Sequence, residues 1–354
     1  MEGRVADPHE MRAESARSRH DRAPAPSGRA GTIACMDAVR RLYVVTHRDP
    51  AVAGRAVGVL RTVADRLGLQ LVADQVEAEK HPELAEACAI VDTDGGTAAA
   101  GGCDAAIVLA GDGTLLRTLA KLGTDVPVLG VNFGMLGFLS GASHDSIEQA
   151  VEALARGEYR TVPLPGLELD LAGRGTAKAF NDVVATGGIT GRVNELGWRI
   201  MGADGVSLDE MGTVVCDGMV MATPVGSTAY NLSNGGPVMA WGVEGTVVSF
   251  VAPHTLAARP LVVAPRDGIE VQHMGRGAPL KVLADGVQVG RLQPGEVLRV
   301  RRGAVHATLA FTDDVSFYAR YRDNFAVQMH FHGPRVRASD RQVADVEPTP
   351  EAGA

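Results

Sequence analysis

An apolar run that stops at a glycine-flanked acid is the place in this 354-residue chain where side chain and backbone most plainly combine for chemistry. Residues 105–117 read AAIVLAGDGTLLR: a strand-like run, then Gly111-Asp112-Gly113, then a helical pattern that begins at once. Such a strand exit sets a carboxylate beside the free main-chain N–H groups of a helix start, which hold phosphate. Phosphoryl transfer depends on in-line placement and charge compensation more than on covalent help. Asp112 could take the proton of an attacking hydroxyl, an effect worth roughly 10²- to 10⁴-fold in rate. Gly111 and Gly113 let the backbone come close to a diphosphate. The competing reading is a plain helix cap, because Asp is among the best N-cap residues. Arg117, one turn past Thr114, is either a cation that neutralises phosphate or a solvated Arg on a helix face.

Two further glycine-rich strand exits accompany it, GVNFGMLGFLSG at 130–141 and MATPVGSTAYNLSNGGP at 221–237. Neither common nucleotide fingerprint is present: the chain has no Gly-Lys-Ser/Thr, and Leu116 stands where a G-x-G-x-x-G run from Gly111 needs its last glycine. Asn181-Asp182 sit between strand-like runs at 176–180 and 183–186, where an amide and an acid serve a ligand or a turn. Asp217, before Gly218, has the same two readings. In Thr228, Ala229, Tyr230, Asn231, Leu232 and Ser233, small residues let a base lie flat; Tyr230 could stack on a ring and Ser233 bond its edge. The alternative for that segment is a small-residue helix start packed for its own sake.

The elements that must position these groups change character near residue 160. Before it, RLYVVTH, LQLVAD, AAIVLAG and VPVLGV alternate with helical stretches at about 50–67, 82–89, 114–122 and 146–155, which predicts a parallel sheet covered by helices on both faces. Ligands of such sheets lie at the carboxyl ends of the strands. After it, Gly and Pro punctuate short runs rich in Val, Leu and Thr, as in LELDLAG, TVVSFVA and LKVLADG, which predicts antiparallel β-structure. The expected organisation is a disordered tail over 1–36, an α/β domain over 37–158, a β-rich domain over 159–320, and a C-terminal segment with a disordered tail over 321–354. Met36, directly before the first strand, is a candidate start of the folded protein.

Composition narrows the partners. Acids outnumber bases 42 to 34, and no stripe of Lys and Arg interleaves with aromatics, so nucleic acid is not expected. Cys35, Cys88, Cys103 and Cys216 are scattered, with neither a disulfide framework nor zinc spacing. No run approaches the roughly 18 apolar residues of a membrane span, and no signal peptide opens the chain, so a cytoplasmic protein without membrane attachment is expected.

The ordered set GDGTLLR, GVNFGMLGFLS, Asn181-Asp182, DGMVMATPVGSTAYNLSNGGP from Asp217 and PHTLAARPLVV from Pro253 resembles the NAD kinases, over about residues 38–320. GDGT alone is shared with phosphofructokinases and with diacylglycerol and sphingosine kinases; the GSTAYNLSNGGP element is far more specific. The resemblance implies an N-terminal Rossmann-like parallel-sheet domain and a C-terminal β-sandwich-like domain. It implies transfer of the γ-phosphoryl group of ATP to the adenosine-ribose 2′-hydroxyl of NAD, with a divalent cation, usually Mg²⁺, and assembly into homodimers or homotetramers. Asp112 would be the catalytic base. Gly113, Arg117, Asn181, Asp182, Arg192, Asp217 and the segment from Thr228 to Ser233 would bind nucleotide, and the cation would arrive on ATP without a dedicated protein cage. The chain departs from the commonest pattern at Ala110 for Gly, Asp182 for Glu, Val225 for Thr and Asn234 for Ala. A diacylglycerol-type lipid kinase and a non-catalytic dinucleotide sensor are the alternatives.

Overall fold

Every residue of β4 (Ala105–Leu109) is buried, and its side chains divide between two cores, Ala105, Ile107 and Leu109 on one face and Ala106 and Val108 on the other. A strand covered on both faces needs a continuous apolar run, which is why AAIVL shows no alternation. A computed structural model describes residues 36–91, 102–133, 137–171, 173–187, 193–312 and 316–325, all within one compact unit. Arg192 and both predicted tails, apart from Met36 and residues 321–325, lie outside the described residues.

The first part runs β1 (Arg41–Thr46), α1 (Pro50–Leu67), β2 (Gln70–Asp74), α2 (Gln75–Lys80), α3 (Pro82–Ala87), β3 (Cys88–Val91), β4, α4 (Asp112–Leu122), β5 (Val128–Asn132), β6 (Ala142–Ser143) and α5 (Ile147–Arg156). Its strands pair in parallel in the order β3-β2-β1-β4-β5, with β6 beside β5. Helix α1 has the bounds its sequence signals predict. Asp49 caps it by accepting from the Ala51 amide, Pro50 supplies a preset first turn, and Gly68 at φ 65° closes it. The helix expected over 82–89 ends two residues sooner, because Cys88 and Ala89 pair with Leu71 and Val72 as the start of β3.

The second part runs β7 (Arg160–Leu171), β8 (Thr176–Ala179), β9 (Asp182–Thr186), β10 (Asn194–Met201), β11 (Ser207–Cys216), β12 (Gly218–Ala222), α6 (Tyr230–Ser233), β13 (Thr246–Val251), β14 (Leu261–Val263), β15 (Gly268–His273), β16 (Leu280–Ala284), β17 (Val287–Leu292), β18 (Val297–Phe311) and α7 (Phe317–Phe325). Six antiparallel strands form one sheet in the order β14-β13-β12-β9-β16-β17. Its inner face meets β7, β10, β15 and β18 across a shared core that includes Leu167, Trp198, Val271, Val300, Met219, Phe250 and Val282. This is the sandwich-like half.

Strand β18 joins the two halves. It begins antiparallel to β15 and β7, and its last residues, Leu309 and Ala310, pair in parallel with Val128 and Leu129 of β5. One twelve-stranded sheet therefore runs through both parts and holds the carboxyl ends of the parallel strands in fixed register with the β-rich half.

Candidate active site

Helix α4 starts at Asp112 with Gly111 as its N-cap, and no side chain caps it. The capping alternative for Asp112 is thus not realised; the carboxylate turns toward the segment that follows β5. Ser140 Oγ donates to Asp112 Oδ1 at 3.2 Å, and the amides of Phe138 and Leu139 donate to the same carboxylate. Gly137 lies so close that a Cβ there would overlap both carboxylate oxygens. Burial raises the proton affinity of Asp112 above the usual carboxylate range. The Ser140 hydroxyl, the Leu139 amide, the Arg320 guanidinium and the Phe138 amide pull the other way without cancelling it.

Asn181 and Asp182 form a second cluster, built around a residue that sequence reasoning missed. The hairpin between β16 and β17 turns at Asp285 and Gly286, with φ of 48° and 79°. Its acid faces back into the fold: Asp285 accepts from the amides of Phe180, Asn181 and Asp182 at 2.8, 2.7 and 3.2 Å, and its own amide donates to the Asp182 carbonyl at 3.0 Å. Asp182 is 6% exposed, and burial together with the Asp285 charge pushes its carboxyl up to about 7. Asn181 Oδ1 is buried and has no hydrogen-bond partner among the described residues. A buried acceptor left open in this way is suited to a donor from a ligand.

The glycine-rich third loop sits on this pair. The Thr223 amide donates to the Asn181 carbonyl at 2.9 Å, Thr223 Oγ1 donates to the Phe180 carbonyl at 2.6 Å, and the Gly226 amide donates to Thr223 Oγ1 at 3.0 Å. Beyond the turn, Asn231 is fully buried and its amide group donates to the carbonyls of Ser227 and Pro237, which fixes the loop. Thr228, Ala229 and Leu232 are half-buried, while Tyr230 and Ser233 stand exposed, as a surface open to a ring requires.

One apolar cluster brings the Asp112 and Asn181 regions together. Phe180 and Val225 pack with Ala110, Leu115, Leu139 and Phe311, so the residues flanking each polar group share a core. Arg117 is exposed with Nη2 bonded to Thr114 Oγ1 at 3.0 Å, and Gly113 is exposed beside it. Asp217 is not brought to the same place. Asp182 pairs with Ala222 and Thr186 with Gly218, so Asp217 lies at the far end of β12, about 17 Å from the Asp182 end at 3.4 Å per residue.

The titration of Asp182 gives a stability prediction. A carboxyl whose proton affinity is raised on folding costs nothing while it is protonated in both states; the cost grows above the ordinary value of 3.8 and levels off above about 7. The gain in melting temperature of Asp182→Asn over wild type is therefore larger at pH 8 than at pH 5. An equal gain at both values rules out the buried carboxylate as its source.

Comparison with known proteins places this geometry in a family. The model of the ATP-NAD kinase N-terminal domain matches residues 42–159, and that of the C-terminal domain matches residues 181–311. The NAD kinase of Gemmatimonas aurantiaca is 40% identical over 228 residues, covering 62% of this chain and 76% of that protein. The NAD kinase of Nocardia farcinica is 32% identical over 325 residues, covering 86% and 98%. Among solved structures, yeast NADH kinase complexed with NADH shares the fold at a TM-score of 0.71 and 21% identity, covering 83% of this chain and 90% of that one. With both domain models matched in order and relatives aligned over most of its length, the chain belongs to the ATP-NAD kinase family.

Proposed function

We propose that this protein transfers the γ-phosphoryl group of ATP to the 2′-hydroxyl of the adenosine ribose of NAD, giving NADP, with Asp112 as general base. The observation that carries this reading is the Asp112 carboxylate, held at the carboxyl end of β4 in a setting that raises its proton affinity, over the core that also seats Phe180 and Val225. A dinucleotide lying across that seam puts its adenosine against residues 228–233 and its ribose hydroxyls toward Asn181, Asp182 and Asp112. The hydroxyl oxygen attacks the γ-phosphorus, the bond to the β-phosphate oxygen breaks, and the hydroxyl proton passes to Asp112. A base whose proton affinity lies nearer neutrality accepts that proton more effectively than an ordinary surface carboxylate.

The donor's phosphates are assigned to a cleft of about 320 Å³ at the rim of β1 and β2, beside α4. Arg48, Lys80, Arg117 and Lys121 line it with Asp74 and Glu77. The two lysines are paired, Lys80 with Glu77 at 2.6 Å and Lys121 with Asp74 at 3.2 Å, which leaves Arg48 and Arg117 as the exposed cations. Among the described residues no three His, Cys, Asp or Glu gather as a metal site. In this reading a divalent cation would be held by the donor's phosphates and not by a protein cage, and would supply charge compensation to them.

Asp217, about 17 Å along β12 from the Asp182 end, is assigned to the nicotinamide-side ribose of the bound dinucleotide or of its neighbour, and the proposal includes a homodimer or homotetramer. Its location is cytoplasmic, in keeping with free thiols at Cys88, Cys103 and Cys216; no described helix is long and apolar enough to cross a membrane. Purified protein supplied with NAD, ATP and Mg²⁺ forms NADP, read by coupling to an NADP-specific dehydrogenase. Dinucleotide binding without product, or phosphorylation of diacylglycerol alone, overturns the reading.

A further inference from the structure

Arg320 is the largest fully buried side chain in the described part of the protein, and it comes from a helix far from the active-site motifs in sequence. Burying a guanidinium is costly unless its donors are engaged. Here Nη1 donates to the Ser140 carbonyl at 2.5 Å and lies 3.5 Å from the Gly137 carbonyl. The cation also stacks within aromatic rings, 5.2 Å from the Phe311 centroid and 5.8 Å from that of Trp241. Phe317 and Phe325 of α7 pack on Phe138, at 5.9 and 5.6 Å between ring centroids, and Phe317 meets Trp241 at 5.3 Å.

These contacts converge on one short segment. Residues 137–140 give Asp112 two amides and a hydroxyl, and Arg320 grips the carbonyls at both ends of that segment. We propose that Arg320 is a positioning residue for the phosphoryl transfer: through the 137–140 segment it fixes the Asp112 carboxylate in its reactive orientation. Its cation also favours the ionised form of that carboxylate, in a smaller measure than burial opposes it. The inference rests on the reading of Asp112 as the base.

Arg320 brings a charge to Asp112, behind burial, the Ser140 hydroxyl and the Leu139 amide in size and ahead of the Phe138 amide. A neighbouring cation favours the carboxylate form. Removing it therefore raises the proton affinity of Asp112 and moves the acidic limb of the rate profile to higher pH. Neither the NAD surface at 228–233 nor the cleft beside α4 includes Arg320 among its residues, so the Michaelis constants should stay put.

The test measures NADP formation against pH for Arg320→Met and Arg320→Lys, with melting temperatures alongside. Arg320→Met lowers kcat by roughly tenfold or more, the size of one lost transition-state interaction. Its acidic limb moves to higher pH, and KM for NAD stays within about twofold. Arg320→Lys keeps the charge but not the planar fork, so the limb returns to its wild-type position while kcat recovers only in part. An unmoved limb in a folded Arg320→Met protein overturns the proposal. Should Arg320→Met fail to fold, wild-type kcat in Arg320→Lys, or a rise in KM without a fall in kcat, overturns it. A wild-type protein that makes no NADP sinks the parent reading instead, which keeps the two failures apart.

Discussion

Asp112→Asn lowers kcat for NADP formation by roughly 10²- to 10⁴-fold, the range for loss of a general base, and leaves NAD affinity nearly intact. The substitution preserves shape, so Asn can still accept from Ser140 Oγ through its remaining oxygen. What it lacks is a site for the proton. One of its two former acceptor positions becomes an NH₂ group facing the Phe138 or Leu139 amide, a mismatch that costs about 1–3 kcal/mol. Relief from burying a carboxylate, whose charge the surroundings disfavour, offsets part of that cost. The variant therefore melts close to wild type. Calorimetric titration with NAD and a steady-state assay separate the two effects. Turnover within tenfold of wild type would remove Asp112 from the chemistry and leave it a role in holding the 137–140 segment.

The readings that held from sequence were those set by neighbours along the chain. The helix expected at about 50–67 is α1, whose ends the structure shows held by Asp49, Pro50 and Gly68, and the unbroken apolar run of β4 announced a strand covered on two sides. The glycine-flanked acid announced a strand-to-helix exit, although the cap fell on Gly111 rather than on Asp112. Contacts made across the fold left no such trace. Arg320 meets Ser140 across 180 positions, and nothing within FYARYRDNF singles it out from Arg322. Asp285 meets Asn181 across 104 positions, and Ala284-Asp285-Gly286 reads as a hairpin turn whose carboxylate faces water. Asp217 needed strand register: only the pairing of β9 with β12 reveals that it and Asp182 stand at opposite ends of one ladder. The sequence motifs supplied the parts, and the long-range pairings decide which parts meet.

Gly226→Ala tests the meeting point itself, and its expected result is a loss of NAD binding ahead of any loss of chemistry. A Cβ at Gly226 would overlap the backbone carbonyl, carbon and Cα of Asn181, and none of these can swing aside as a flexible side chain could. The Asn181 amide is held by Asp285 at 2.7 Å and its carbonyl by the Thr223 amide at 2.9 Å, so the segment is tied on both sides. The added methyl group must therefore lift the 223–228 turn away from Asn181, at the roughly 1–3 kcal/mol typical of overpacking. That shift carries Thr228, Ala229 and Tyr230 with it and opens the seam between the adenosine surface and Asn181. KM for NAD rises by about tenfold or more, since each 1.4 kcal/mol is a factor of ten in affinity. KM for ATP changes far less, because the cleft assigned to the donor lies beside α4. Gly58→Ala is the control: nothing lies within 4 Å of a Cβ there, and the residue lies on α1, outside the residues assigned to nucleotide, so NAD binding stays at the wild-type level. Equal NAD affinities for the wild type and Gly226→Ala would mean that the turn does not shape the dinucleotide surface, and the placement of adenosine on residues 228–233 would fall with it.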